Sequence, residues 1–128
     1  MKKFFASLVC LALLAMCVSH AQAIPPFNEM FKKTYVPAGS PVEEAVMAVK
    51  CNVCHVGKEK KEKNEYGKAV GKYLKKADFA GDDKKFDPKS EEGQKALAEG
   101  LAKAGAEKAA SGKSFDEILK SGKLPVTE

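Results

Sequence analysis

The sequence predicts an all-α fold of about five short helices. Apolar residues recur at helical spacing in several segments, and no run alternates between apolar and polar residues as a strand does. Capping residues mark helix starts: Asn64 precedes the segment 65–76, and Ser114 with Glu117 forms a capping box before 115–122. The part of the chain expected to fold, 24–128, suits one domain with a modest core.

The first two predicted helices lie before residue 51. The apolar face of the first, over 27–35 and ended by Pro37 and Gly39, consists of Phe27, Met30, Phe31 and Tyr35. The second begins with Ser40 as its N-cap, Pro41 at the first helical position and Glu43 closing a capping box. Its apolar face consists of Val42, Ala45, Val46 and Val49. This helix is expected to run directly into the cysteines that follow.

Three further helices are predicted after a solvated lysine- and glutamate-rich loop at 57–63. The face of the helix 65–76, capped by Asn64, consists of Tyr66, Ala69, Val70, Tyr73 and Leu74. A polar loop at 77–88 follows, from which Phe79 and Phe86 are expected to turn inward. The helix over 91–110 has a weak apolar stripe made of Ala96, Leu97, Leu101 and Ala104. Its glycines, Gly93, Gly100 and Gly105, fit either close packing or plain tolerance at a surface. The last helix ends at Gly122, before Pro125.

Residues 1–23 have the pattern of a Sec signal peptide. A basic start, an apolar run and small residues precede a cleavage position after Ala23. The apolar run is short for a membrane span, so no transmembrane segment is expected in the mature domain, 24–128. A lipoprotein route stays open, although Met16 rather than a small residue precedes Cys17. The mature protein is therefore expected to be periplasmic or secreted.

The charge pattern excludes one class of partner. The formal net charge of +5 includes Lys2 and Lys3, and +3 remains once they are removed. All 22 basic residues are lysine, whereas proteins that read nucleic acid use arginine to grip phosphate and guanine. We therefore expect no nucleic-acid partner, and a mildly basic face that docks on an acidic or membrane-bound partner. The mature protein is expected to be a monomer.

Cleavage after Ala23 leaves Cys51, Cys54 and His55 as the only cysteines and histidine of the mature chain. A scaffold with several disulfide bridges is thereby excluded. The stretch CNVCH has the spacing of a c-type haem attachment motif, because two cysteines three apart lie on one side of a helical turn. In this interpretation Cys51 and Cys54 form thioethers with the haem vinyl groups, and His55 ligates the iron.

Three other interpretations of the same residues remain open. A zinc site would need a carboxylate or water as its fourth ligand. A thioredoxin-like dithiol would need the motif at a strand-to-helix turn, and no strand pattern precedes Lys50. A structural disulfide between Cys51 and Cys54 would leave His55 incidental.

The mature chain resembles a small monohaem cytochrome c. The likeness rests on Cys51, Cys54 and His55, on the helix predicted before them, and on an all-α chain of this length. The resemblance implies a fold of four to five short helices around one covalently attached haem c. It also implies a one-electron carrier, not an enzyme, that exchanges electrons with redox partner proteins.

The sequence departs from this family at the second axial ligand. The family takes a methionine from well after the motif, and no methionine follows His55. Met30 is a possible distal ligand, while Met47, one helical turn before Cys51, is expected to pack in the core. Other candidates are water, a lysine amine, Tyr35, Tyr66 and Tyr73. An open sixth position would favour a different function: a five-coordinate haem protein that binds or senses a small ligand, or has weak peroxidase activity.

Overall fold

The computed structural model describes residues 25–126, and the predicted signal peptide lies outside them. Within this range the chain is mostly helical, as expected. Its elements are α1 (Pro25–Tyr35), α2 (Glu43–Val49), a 3-10 helix (Lys50–Val53), β1 (His55–Val56), β2 (Glu62–Lys63), α3 (Glu65–Tyr73), α4 (Lys76–Phe79), α5 (Glu91–Ala106) and α6 (Phe115–Lys120). No helix in 25–126 combines the length and apolar character needed to cross a membrane.

Helix α5 is the centre of the packing, because α1, α3 and α6 all contact it. Its apolar stripe is buried as predicted: Leu97 and Ala104 have no exposed surface and Leu101 is 2% exposed. The largest side chains with almost no exposed surface are Tyr66, Leu97, Leu101, Leu119 and Val42. Burial of such side chains is the main favourable term in folding a domain of this size.

The glycines of α5 lie where neighbouring groups approach the helix backbone. A Cβ atom at Gly100 would collide with the side chain of Leu74, and one at Gly93 would collide with the carbonyl of Asp87. At Gly105 a Cβ would lie 2.5 Å from the hydroxyl of Tyr35. Of the two explanations that the sequence allowed, close packing is therefore the one realised.

The predicted start of the second helix is wrong. Helix α2 begins at Glu43 with Val42 at the N-cap, and no side chain caps it. Residues 40–43 form a turn in which the Glu43 N–H donates to the Ser40 carbonyl at 3.1 Å. The Glu43 carboxylate accepts from the Gly39 N–H at 2.8 Å, one residue before the expected partner. The Ser40 hydroxyl consequently has no hydrogen-bond partner.

Two predictions after Asn64 need correction, and two are confirmed. Helix α3 ends at Tyr73 instead of residue 76. Tyr73, which was expected on the apolar face, is 37% exposed, and its hydroxyl donates to the Glu107 carboxylate at 2.7 Å. The predicted loop at 77–88 begins inside a short helix, α4. Phe79 does turn inward, at 4% exposed, and Phe86 stacks on it with ring centroids 5.5 Å apart. The Asn64 cap is confirmed, since its side chain accepts from the Gly67 N–H.

The predicted capping box of α6 is present. The Ser114 hydroxyl accepts from the Glu117 N–H at 3.2 Å, and the Glu117 carboxylate accepts from the Ser114 N–H at 2.9 Å. These bonds to the Ser114 backbone and side chain lower the pKa of Glu117 below its ordinary value. Because the folded state favours the charged form, the box stabilises α6 fully above the ordinary glutamate pKa and less as the pH falls through the lowered one.

We expect Glu117→Gln to change how stability depends on acid. Glutamine still accepts the reciprocal bond but does not titrate. The wild type should be the more stable protein at pH 7, and its advantage should shrink as the pH falls from about 5 to about 3. Urea unfolding across that range measures it; an advantage that stays constant with pH would contradict the assignment.

Candidate functional site

The two cysteines are brought together by a 3-10 turn rather than by a continued α-helix. Helix α2 ends at Val49, and Lys50 adopts a positive φ of 51°. Cys51 then lies in the 3-10 helix, and the Cys54 N–H closes it by donating to the Cys51 carbonyl at 3.2 Å. Cys51 lies inside this helix and Cys54 is its C-cap, so the two cysteines, three residues apart, belong to the same turn.

Both cysteines are free thiols in the structure and are partly buried. Val53, between them, is 5% exposed and belongs to the core, against which Cys54 also packs. Burial, and then the neighbouring Cys51, raises the pKa of the Cys54 thiol to about 12, while Lys63 opposes the shift. A thioredoxin-like dithiol follows a strand. Here helix α2 and the 3-10 helix precede Cys54 instead.

A two-stranded hairpin, which the sequence analysis did not predict, positions the histidine. In this antiparallel pair His55 lies opposite Lys63, and Val56 opposite Glu62. The His55 Nδ1 atom lies 3.3 Å from the Glu62 carbonyl oxygen. With the proton on Nδ1 the ring donates to this carbonyl, and Nε2 is left with a free lone pair. This is the arrangement that orients histidine ligands in metal sites.

Helix α3 docks directly on the cysteine turn. The Asn64 N–H donates to the Cys54 carbonyl at 3.0 Å, and the Asn64 side-chain amide donates to the Val53 carbonyl at 2.9 Å. One turn into α3, a Cβ at Gly67 would collide with the same Cys54 carbonyl. The sequence pattern predicts Asn64 only as a cap and predicts no role for Gly67.

A buried tyrosine hydroxyl near Cys54 has no hydrogen-bond partner. Tyr66 has no exposed surface, and its ring packs on Phe31 and Phe115 with centroids 6.0 and 5.2 Å away. Its Oη atom is unpartnered. Burial raises the Tyr66 pKa far above its ordinary value, and the next largest contribution comes from Cys54. A buried hydroxyl without a partner costs about 1 to 3 kcal/mol.

The two methionines occupy opposite environments. Met30 is 6% exposed and lies on α1, which packs against α5. Met47 is 59% exposed, so its predicted core packing is wrong. The helix buries Val42 and Val46, one turn apart, and the next residue points outward. Val56, which directly follows His55, is also exposed, at 41%. Exposed apolar side chains therefore precede and follow the motif along the chain.

The three tyrosines predicted as possible iron ligands lie in two environments. Tyr35 and Tyr66 both pack on the Phe31 ring in the core, with centroids 5.4 and 6.0 Å away. Tyr35 is buried, and burial together with Asp116 raises its pKa. Tyr73 lies at the surface, where Glu107 binds both its hydroxyl and the Lys72 ammonium.

A surface cleft of about 530 Å³ adjoins the hairpin and is lined by Lys61, Glu62, Lys63 and Lys68. Between residues 25 and 126, no three His, Cys, Asp or Glu side chains form a group that could hold a metal ion. A haem iron needs fewer protein ligands than a bare ion, because the porphyrin supplies four. Comparison of the chain with family models, curated proteins and solved structures finds no match in any of the three.

Proposed function

We propose that this protein is an exported c-type cytochrome that carries single electrons on one covalently bound haem c. The observation that carries the proposal is the arrangement of residues 51–55: two cysteines joined by a 3-10 turn, in which the Cys54 N–H donates to the Cys51 carbonyl, followed at once by a histidine. Cys51 and Cys54 would form the thioethers, and His55 would be the proximal iron ligand. The cytochrome c-like arrangement of the helices around haem belongs to the same proposal.

The surroundings of the motif support the fit. Two apolar side chains near the attachment residues in the chain are exposed: Met47, one helical turn before Cys51, and Val56, directly after His55. Covering apolar side chains of this kind removes their surface from water, at about 25 cal/mol per Å².

The chain's own residues account for binding and orientation. The 3-10 turn joins the two cysteines, and with the proton on Nδ1 the Glu62 carbonyl would orient the His55 ring and leave Nε2 free for the iron. The haem supplies an iron centre that gains or loses one electron when bound.

The lysines beside the hairpin support an acidic redox partner. Lys61, Lys63 and Lys68 line the cleft that borders His55's strand partner, with Glu62 as the opposing charge. Positive charge near an electron-transfer site speeds encounter with an acidic protein and loses this effect at high salt.

An optical spectrum of the exported protein tests the function. The protein is made in a host with haem-attachment machinery, and reduced and oxidised spectra are compared before and after carbon monoxide is added. We expect sharp low-spin bands that carbon monoxide does not alter, because an electron carrier keeps both axial positions filled. A protein exported without haem would end the proposal.

The second candidate is a haem protein with an open sixth position that binds a small ligand. It is favoured by the methionines: none follows His55, Met47 points into solvent, and Met30 is packed in the core. Met30 stays a possible distal ligand, and Met30→Ala tests it. A high-spin spectrum that shifts with carbon monoxide would favour this candidate over the electron carrier.

A further inference from the structure

We infer that Asn64 is a positioning residue for the haem ligand His55, a role that rests on the proposed function. The Asn64 side chain binds two elements at once. Its Oδ1 atom accepts from the Gly67 N–H at 2.9 Å and so begins α3. Its Nδ2 atom donates to the carbonyls of Val53, at 2.9 Å, and Asn52, at 3.3 Å, and so holds the cysteine turn.

This network fixes the orientation of the amide. The two groups facing Nδ2 are carbonyl oxygens, which accept, and the group facing Oδ1 is an N–H, which donates. If the amide were reversed, its oxygen would face two carbonyl oxygens and its NH₂ group would face an N–H, so all three hydrogen bonds would be lost. The donors therefore point at the 3-10 turn by necessity.

The backbone of Asn64 also binds Cys54, the residue before the histidine. Its N–H donates to the Cys54 carbonyl at 3.0 Å, next to the strand pair that carries His55 and Glu62. His55 thus lies between two fixed points: the turn held by Asn64, and the Glu62 carbonyl at its Nδ1 atom. Groups that orient a metal ligand typically change affinity about 10- to 100-fold when they are removed.

Two variants separate this role from simple capping. Asn64→Asp and Asn64→Ser both keep an oxygen that can cap α3, and both lose the amide donors to Asn52 and Val53. Ser90→Ala is the control, since it removes a cap from α5, where the Ser90 hydroxyl accepts from the Gly93 N–H at 3.0 Å. Ser90 is no part of the cysteine turn.

The first readout is the share of haem that has lost its histidine ligand, measured by fitting the visible spectrum of each purified holoprotein to the spectra of the wild type and of the reference variant His55→Ala. We expect this share to rise about tenfold in both Asn64 variants and to stay at the wild-type value in Ser90→Ala. Wild-type shares in both Asn64 variants, or an equal rise in Ser90→Ala, would overturn the inference.

The second readout does not depend on haem. Hydrogen exchange of the Cys54 N–H, which closes the turn, should be about tenfold faster in both Asn64 variants than in the wild type. Unchanged exchange would overturn the positioning role even if the wild type carried no haem. Absence of haem from the wild type, with exchange still accelerated in the variants, would instead count against the proposed function alone.

Discussion

Replacement of Cys51 and Cys54 by serine is expected to abolish covalent haem in the exported protein. A serine hydroxyl is a far weaker nucleophile than a thiol and does not add to a vinyl group, so no thioether forms. The measurement is the intact mass of the purified protein, which should lose the increment of one haem when both residues are changed. Each single replacement should also prevent normal attachment, because the two cysteines belong to the same turn.

Met47→Ser is the control for this experiment. It removes a sulfur atom one helical turn before Cys51, from a side chain that is largely exposed, and it leaves both thiols in place. We expect this variant to keep its haem. If the wild type carries no haem and the serine variants still fold, the zinc, dithiol and disulfide interpretations gain over haem.

Gly67→Ala is expected to be the most destabilising single-methyl change in α3. The added Cβ would collide with the Cys54 carbonyl, a backbone atom that also accepts from Asn64 and cannot move alone. Forcing an extra methyl into a packed site costs about 1 to 3 kcal/mol. We expect the upper end of that range here, which lowers the melting temperature by about 10 °C or more for a domain of this length.

The same change at Gly71, four residues along the same helix, is the matched control. There the nearest atom to an added Cβ is the Lys63 ammonium nitrogen at 2.8 Å, the end of an exposed and flexible side chain. The lysine can swing away, so the helix should gain up to about 1 kcal/mol from replacing glycine with alanine. Thermal unfolding of the two variants should therefore move in opposite directions; equal losses would contradict the docking of α3 on the turn.

Helix positions were predictable where side chains cap or face the core locally. Asn64 and the Ser114–Glu117 pair occupy their predicted caps because the partners lie within three residues along the chain. The start of α2 was not predictable in this way. Gly39 adopts a positive φ of 80°, and its N–H is the one that binds the Glu43 carboxylate. The capping pattern correctly predicts that the Glu43 carboxylate accepts a backbone hydrogen bond, but the donor is the Gly39 N–H and not the Ser40 N–H.

The residue types of the candidate site were predictable, but the support around them was not. The spacing of Cys51, Cys54 and His55 predicted side chains on one side of a turn, and the two cysteines do share a turn, of the 3-10 type. The hairpin that contains His55 has only two residues in each strand, which is too short for an alternating pattern. Its second strand contacts α3, and the sequence pattern does not predict this contact. Contacts such as Gly67 against Cys54 depend on tertiary packing, which periodicity alone does not specify.

Packing through glycine limits how the sequence of α5 can diverge. Positions 93, 100 and 105 admit no side chain without displacing Asp87, Leu74 or Tyr35, so each substitution there needs a second, compensating one. The outward face of the same helix, with Lys95, Glu99 and Lys103, carries no such restriction. Descendants of this chain should therefore drift rapidly on one side of α5 and hardly at all on the other.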